Sequence, residues 1–252
     1  MRIPDFPLPR NAREGIAWQR ELAGQVRQES LPTDIRWIAG TDVAFNKNTG
    51  LTHAAVVVVD AATLQLREVA GATILTTFPY IPGLLSFREI PALLACFNRL
   101  LTVPDVILCD GQGIAHPRGL GLASHLGLVL DIPTVGCAKS RLVGEHANPP
   151  PERGGRTPLM HRDRPVGAVL RTRAGVKPLF ISVGHLVTLD DAVGLVLACA
   201  RRYRLPEPQR LAHHHAALEK QTPHKGTENT EGTKTGRGQG EGIDENEASN
   251  HV

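Results

Sequence analysis

Three stretches near the start of the chain, residues 35–45, 53–60 and 66–75, are rich in β-branched residues and joined by short polar connections. That pattern predicts an antiparallel meander. Past residue 86 the period changes. Phe87, Ile90, Leu93, Leu94, Phe97, Leu100 and Leu101 recur every three or four positions, the spacing of an amphipathic helix. Ser86 with Glu89 three residues on has the form of a capping box at its start. Residues 105–110 read as a short apolar strand ending in an acid, 119–130 as a helix after a glycine-rich turn, and 133–137 as another apolar strand. Apolar strands separated by a helix imply a parallel half-sheet. Strands over 166–173 and 178–184, and a helix capped by Thr188 and Asp191 and reaching about residue 202, complete the pattern.

The flanks read differently. Residues 1–10 hold three prolines and predict an extended arm, followed by a polar helix over 11–29 with Ile16, Ala23 and Val26 on one face. Residues 145–165 have the composition of a loop. From Ala216 onward almost every residue is polar or glycine, too little apolar surface to support folding, so 216–252 are expected to form a disordered tail. The expected organisation is an arm (1–10), one α/β domain (11–215) and that tail, which suits a chain of 252 residues.

Charge changes the picture only slightly. The tail carries seven acids against four Lys and Arg, so the body is more basic than the net +3 of the whole chain. A mildly basic body permits an anionic partner without demanding one. Cys96, Cys109, Cys137 and Cys199 each sit in an apolar run without ligand spacing, as buried free thiols do. The N-terminus has no apolar signal core and no run of 18 apolar residues occurs, so a cytoplasmic protein without membrane association is expected.

Three antiparallel strands, a helix, then strand–helix–strand is the element order of a ribonuclease H-like core, a mixed sheet flanked by helices. In that layout Asp42 interrupts the first strand and Asp110 ends the fourth, and the two meet if those strands pair. Glu89, near the start of the connecting helix, can lean over the same point. Crowded carboxylates need a cation, and oxygen-only ligands select Mg²⁺, with Mn²⁺ as a substitute, over zinc. Two such ions could activate a water and stabilise the leaving oxygen of a phosphodiester. Each acid has a plainer reading as well: Asp110 as a turn residue and Glu89 as the capping acid. Asp42 in mid-strand is the hardest to explain that way, because an unpaired buried acid is costly.

The segments GTDVAF (40–45), PYIPGLLSFREIP (79–91), DGQGIAHPRGLGLASHLG (110–127), GCAKSRLVGE (136–145) and ISVGH (181–185) resemble endonuclease V, in order, over nearly all of the chain before the tail. A monomer is expected, though nothing in the sequence fixes the oligomeric state. The resemblance implies a repair nuclease that acts on deaminated adenine, deoxyinosine in DNA with inosine in RNA left open. It cuts the second phosphodiester bond on the 3′ side. Residue by residue, the resemblance assigns Asp42, Glu89 and Asp110 to metal binding and Pro79, Tyr80, Ile81 and Pro82 to a strand-separating wedge. It assigns Gly83, Leu85, Gly111, Gly121 and Leu122 to the pocket for a flipped base, Lys139 to the scissile phosphate, and His213 to the neighbourhood of the metals. His116 and His125 contact phosphates, support the site, or are structural histidines. Read without the resemblance, 79–83 is a proline-rich turn packing on the core and Lys139 a solvated surface charge. Two rivals share the fold: a structure-selective nuclease of the junction-resolvase type, which needs no base pocket, and a non-catalytic nucleic-acid-binding module, which needs no acids.

Overall fold

The computed structural model describes residues 3–221. Eight strands form one mixed sheet: β1 (Trp37–Asn46), β2 (Leu51–Asp60), β3 (Leu66–Leu75), β4 (Val106–Cys109), β5 (Thr134–Ala138), β6 (Arg156–His161), β7 (Arg164–Leu170) and β8 (Leu179–His185). Their spatial order is β3-β2-β1-β4-β5-β8-β7-β6. The meander β1–β3 is antiparallel, β4 pairs parallel with both β1 and β5, and β5–β8 restores antiparallel pairing. The expected ribonuclease H-like mixed sheet is the observed one.

Five helices, α1 (Ala12–Ala23), α2 (Leu85–Phe97), α3 (Leu122–Leu130), α4 (Leu189–Cys199) and α5 (Glu207–Gln221), accompany the sheet. Alternation along the central strands decides which face each helix covers. Ala39, Ile107 and Cys109 pack under Ile90, Leu93 and Phe97 of α2 and Leu122 and Leu126 of α3. Ile38, Val106 and Leu108 turn the other way, toward Val193, Val196 and Cys199 of α4 and Leu211 of α5. All four cysteines are buried and free, as expected.

Four segments around the central sheet add to or change the sequence reading. Helix α1 ends at Ala23 rather than near residue 29, and its most buried positions are Gly15 and Gln19, four residues apart on one face. Residues 145–165 are not all loop: β6 and the start of β7 form a hairpin across Arg162 and Asp163, with φ of 50° and 59°. Those left-handed values match a two-residue hairpin turn, and Pro158 is tolerated because β6 is the sheet edge. Residues 3–10 have no regular structure but are not detached, since Phe6 packs on Phe87 and His125 and Pro9 is buried.

The fourth segment is α5, which runs through the expected tail boundary at Ala216 to Gln221, with Ala212 and Ala216 fully buried. It lies close on β1. A Cβ at Gly40 would stand 2.2 Å from the carbonyl carbon of Pro208, so only glycine lets the helix approach. The remainder of the expected tail, 222–252, lies outside the described residues.

Candidate active site

The last registered pair between the parallel strands β1 and β4 is Thr41 opposite Cys109. Asp42 and Asp110 come next on each strand, so their carboxylates emerge side by side, close enough for Asp110 to oppose ionisation of Asp42. Both side chains are largely buried, 11% and 18% exposed. Burial first, and then Asp110, push the Asp42 carboxyl up to about 6, while His213 and Lys139 pull the other way. Glu89, on α2, is pushed up to about 8 by burial and by the charges of Asp42 and Asp110. The three acids are therefore one electrostatic unit. The capping-box reading of Glu89 fails, because α2 begins at Leu85 with Leu84 as an N-cap that makes no side-chain bond. Ser86 Oγ instead pairs with His125 Nδ1 at 3.0 Å.

Two basic side chains reach into this cluster. Lys139, just past β5, forms an ion pair with Asp110. His213, on α5, places Nδ1 3.0 Å from Asp42 Oδ2 and stays 60% exposed. The neighbouring rings of His214 and His215 contact each other. Among the described residues, no group of three or more His, Cys, Asp or Glu side chains is arranged to hold an ion as the side chains stand. The donor chemistry nonetheless fits a hard divalent cation. Carboxylate oxygens converge, and their raised pKa values are those of a site short of positive charge.

Beside the acids opens a cavity of about 390 Å³. The turn before α2 supplies Tyr80, Ile81, Pro82 and Gly83, and α2 begins with Leu85; the glycine-rich segment supplies Gly111, His116 and Gly121, and α3 begins with Leu122. Glu89, Asp110 and Lys139 line the same cavity, so it is continuous with the acidic cluster. Tyr80 is 69% exposed, and its ring faces the Arg88 guanidinium at 5.9 Å, which also stacks on Phe45 at 3.6 Å. Pro79, Asp42, His125 and His213 are not part of the lining. His125 is buried against Phe6 and Phe87 and supports α2 from within. Burial holds the pKa values of His116 and His125 down to about 4, so both are neutral near pH 7.

Four further residues escaped the sequence reading. Gln112 donates to the Ser140 carbonyl at 2.9 Å, tying the glycine-rich segment to the turn after Lys139. Arg204 holds the Lys139 carbonyl at 3.1 Å and the Pro178 carbonyl at 2.9 Å. Gln19 and Arg118 bond to each other and to the Gly83 carbonyl. Of these, Gln112 and Arg118 sat in a motif already singled out, without a role of their own. The others look, in sequence, like ordinary polar surface.

Paired acids at the centre of a ribonuclease H-like sheet, with a basic residue on each and a cavity alongside, define an α/β nuclease. The particular lineage follows from comparison with known proteins. A family model for endonuclease V matches residues 20–214, and the chain belongs to that family. An endonuclease V of Azotobacter vinelandii is 52% identical over 216 residues, 83% of this chain and 96% of its own. The crystal structure of endonuclease V from Streptomyces avermitilis is 43% identical, with a TM-score of 0.81 over 88% of this chain and 98% of its own. Endonuclease V of Ciona intestinalis, crystallised with a 23mer DNA containing an inosine followed by a ribo-adenosine, is 25% identical, with a TM-score of 0.72 over 82% of this chain and 95% of its own.

Proposed function

We propose that the chain nicks nucleic acid at deaminated adenine, with deoxyinosine in DNA as the substrate class, and hydrolyses the second phosphodiester bond 3′ to the lesion. The observation that carries this reading is the continuity of the cavity with the acidic cluster through Glu89, Asp110 and Lys139. A base held in the cavity sets the position of the strand beside the acids. The complex of the Ciona intestinalis relative with inosine-containing DNA supports the choice of lesion.

Asp42, Glu89 and Asp110 are the residues that would hold Mg²⁺, with Mn²⁺ as a substitute. The bound cation would polarise water and offset charge on the leaving oxygen. The rest falls to this chain's own groups. Lys139, released from Asp110, can pair with the phosphate as its charge grows. His213 remains on Asp42, where it fixes the carboxylate and is exposed enough to exchange a proton with solvent. Tyr80, projecting from a turn stiffened by Pro79 and Pro82, is placed to enter the gap left when a base leaves the stack. Gly83, Leu85, Gly111, Gly121 and Leu122 bring backbone close to the base, where an N–H can donate to the keto oxygen of hypoxanthine but would meet the amine of adenine donor to donor; the N–H groups of Gly111 and Gly121 are already bonded to the Cys109 and Gly113 carbonyls. Pro79 acts through the shape of the turn, and His116 and His125 through the walls behind it.

Labelled DNA and RNA strands, each with one inosine, incubated with Mg²⁺ or with a chelator, test this reading. Cutting near the inosine with Mg²⁺ alone is the expected result. Mg²⁺-independent cutting, or cutting at unmodified sequence to the same extent, would contradict it and favour a structure-selective nuclease.

A further inference from the structure

The carbonyl of Gly83 is where the Tyr80 turn joins the cavity, and it accepts from side chains of two separate segments. Gln19 Nε2, on α1, lies 3.0 Å away; Arg118 Nη2 lies 2.6 Å away and His116 Nε2 3.1 Å away, both on the glycine-rich segment. The donors are tied to one another. Arg118 Nε donates to Gln19 Oε1 at 2.6 Å, and Gln19 Nε2 also reaches the Leu120 carbonyl at 3.3 Å. The backbone N–H of Arg118 approaches His116 Nδ1 at 3.3 Å, which selects the neutral imidazole protonated on Nε2, the form that donates to Gly83. On the far side of the same peptide, the Leu84 N–H donates to the Ile81 carbonyl at 2.9 Å. Both ends of that peptide are fixed.

This is more than satisfaction of a buried acceptor. A carbonyl has two lone pairs, and here three donors, one of them cationic, converge on it. Gly83 itself has φ of +77°, the left-handed region in which glycine moves most freely, so without the donors the turn could swing as a hinge. Gln19 is only 1% exposed although α1 otherwise shows mixed polarity, and it forms no bond with any of the three acids.

We propose that Gln19 and Arg118 are positioning residues for lesion recognition, clamping the Gly83 carbonyl with His116 so that the Tyr80 turn and the glycine-rich wall of the cavity move as one body. The inference rests on the base-reading function above. Entry of Tyr80 into a duplex is then coupled to the opening of the cavity that takes the displaced base. The ordering cost is met on folding rather than on binding. Helix α1, which supplies none of the three clustered acids, becomes part of the recognition device.

Two full-length variants test the clamp. Gln19→Met keeps the side-chain length and removes its polar atoms; Arg118→Lys keeps the charge and the aliphatic stem but loses the planar fork. Amide hydrogen exchange is followed over 79–84 and, as a reference, over β1 and β4. Single-turnover cleavage of an inosine-containing duplex is titrated with enzyme. In each variant, exchange at Leu84 is expected to accelerate roughly tenfold or more with the reference strands unchanged. Half-maximal cleavage should need about tenfold more enzyme, while the maximal rate falls no more than about threefold. Unchanged exchange over 79–84 in a folded variant would overturn the clamp, and so would equal losses of affinity and maximal rate. Acceleration extending to β1 and β4 in both variants would also overturn it, showing a general structural role. A wild-type enzyme that does not distinguish inosine from adenine would instead defeat the functional reading, which separates the two failures.

Discussion

Asp42 and Glu89 sit where the fold resists their ionisation, with pKa values pushed up to about 6 and about 8. A carboxyl whose folded pKa exceeds its unfolded value holds its proton more tightly in the folded chain. Its stabilising contribution is full below about pH 4 and is lost as the pH rises through the folded pKa. Without divalent cations, melting temperature should therefore fall between about pH 5 and about pH 8, and Mg²⁺ should restore more of it at the upper end. A Mg²⁺ effect that is the same at both ends would place the ion elsewhere. For the same reason Asp42→Asn, which relieves repulsion, should raise the metal-free melting temperature while reducing nicking by about a hundredfold or more. Binding of an inosine strand should persist, because Asp42 does not line the cavity; filter binding and cleavage by the same preparation separate the effects. Tyr80→Ala should cost about ten- to a hundredfold in cleavage of an inosine duplex and much less in a single strand, where little stacking has to be replaced. Equal losses in matched single-turnover assays would remove the wedge role. The acids were legible in the sequence because an ionisable residue inside an apolar run demands an explanation. Gln19 and Arg118 were not, because a polar residue on a polar helix or loop shows no conflict until the fold buries it.

At the scale of elements, the meander, α2 and the β4–α3–β5 unit followed from periodicity, since each buries large side chains at regular intervals. Helix α5 did not, because little of what it buries is both large and apolar: Pro208, Gln209, Ala212 and Ala216 are its buried residues, with Leu211 only half-buried beside them. Ala212 and Ala216 lie against a sheet that answers with Gly40, an interface without the large residues that mark a stripe. Yet α5 carries His213 to Asp42, so its docking is a functional matter. Gly40→Ala puts a methyl group into the Pro208 backbone and should destabilise the fold by about 1–3 kcal/mol, with a fall in nicking as His213 withdraws. Gly194→Ala, in α4 with open space around it, should stabilise by about 0.5–1 kcal/mol and leave nicking unchanged. Denaturant unfolding of the two variants beside the wild type is the check, and a Gly40→Ala protein of full stability would mean that α5 is not held tightly on β1. The β6–β7 hairpin was hidden for another reason. Its turn uses Arg162 and Asp163 in place of the glycine that usually marks such positions.

For the whole molecule, the site is assembled only when the chain is. Its side chains come from α1, β1, the turn before α2, α2 itself, the segments after β4 and β5, and α5, at positions from Gln19 to His213. The order of elements was enough to bring Asp42 and Asp110 together, because it sets the first strand beside the fourth and each acid follows the last paired residue of its strand. It could not reveal a cavity, which depends on how closely separate loops approach. The central claim is that this cavity and the acids work as one device, the first fixing where the second cuts. The direct measurement uses a set of end-labelled duplexes in which a single inosine is moved along an otherwise constant sequence, each cut by the wild-type chain with Mg²⁺. The nick should move with the inosine, one nucleotide for each nucleotide, and stay at the second linkage on its 3′ side. A nick that stays at a fixed sequence while the inosine moves, or that scatters independently of it, would contradict the account.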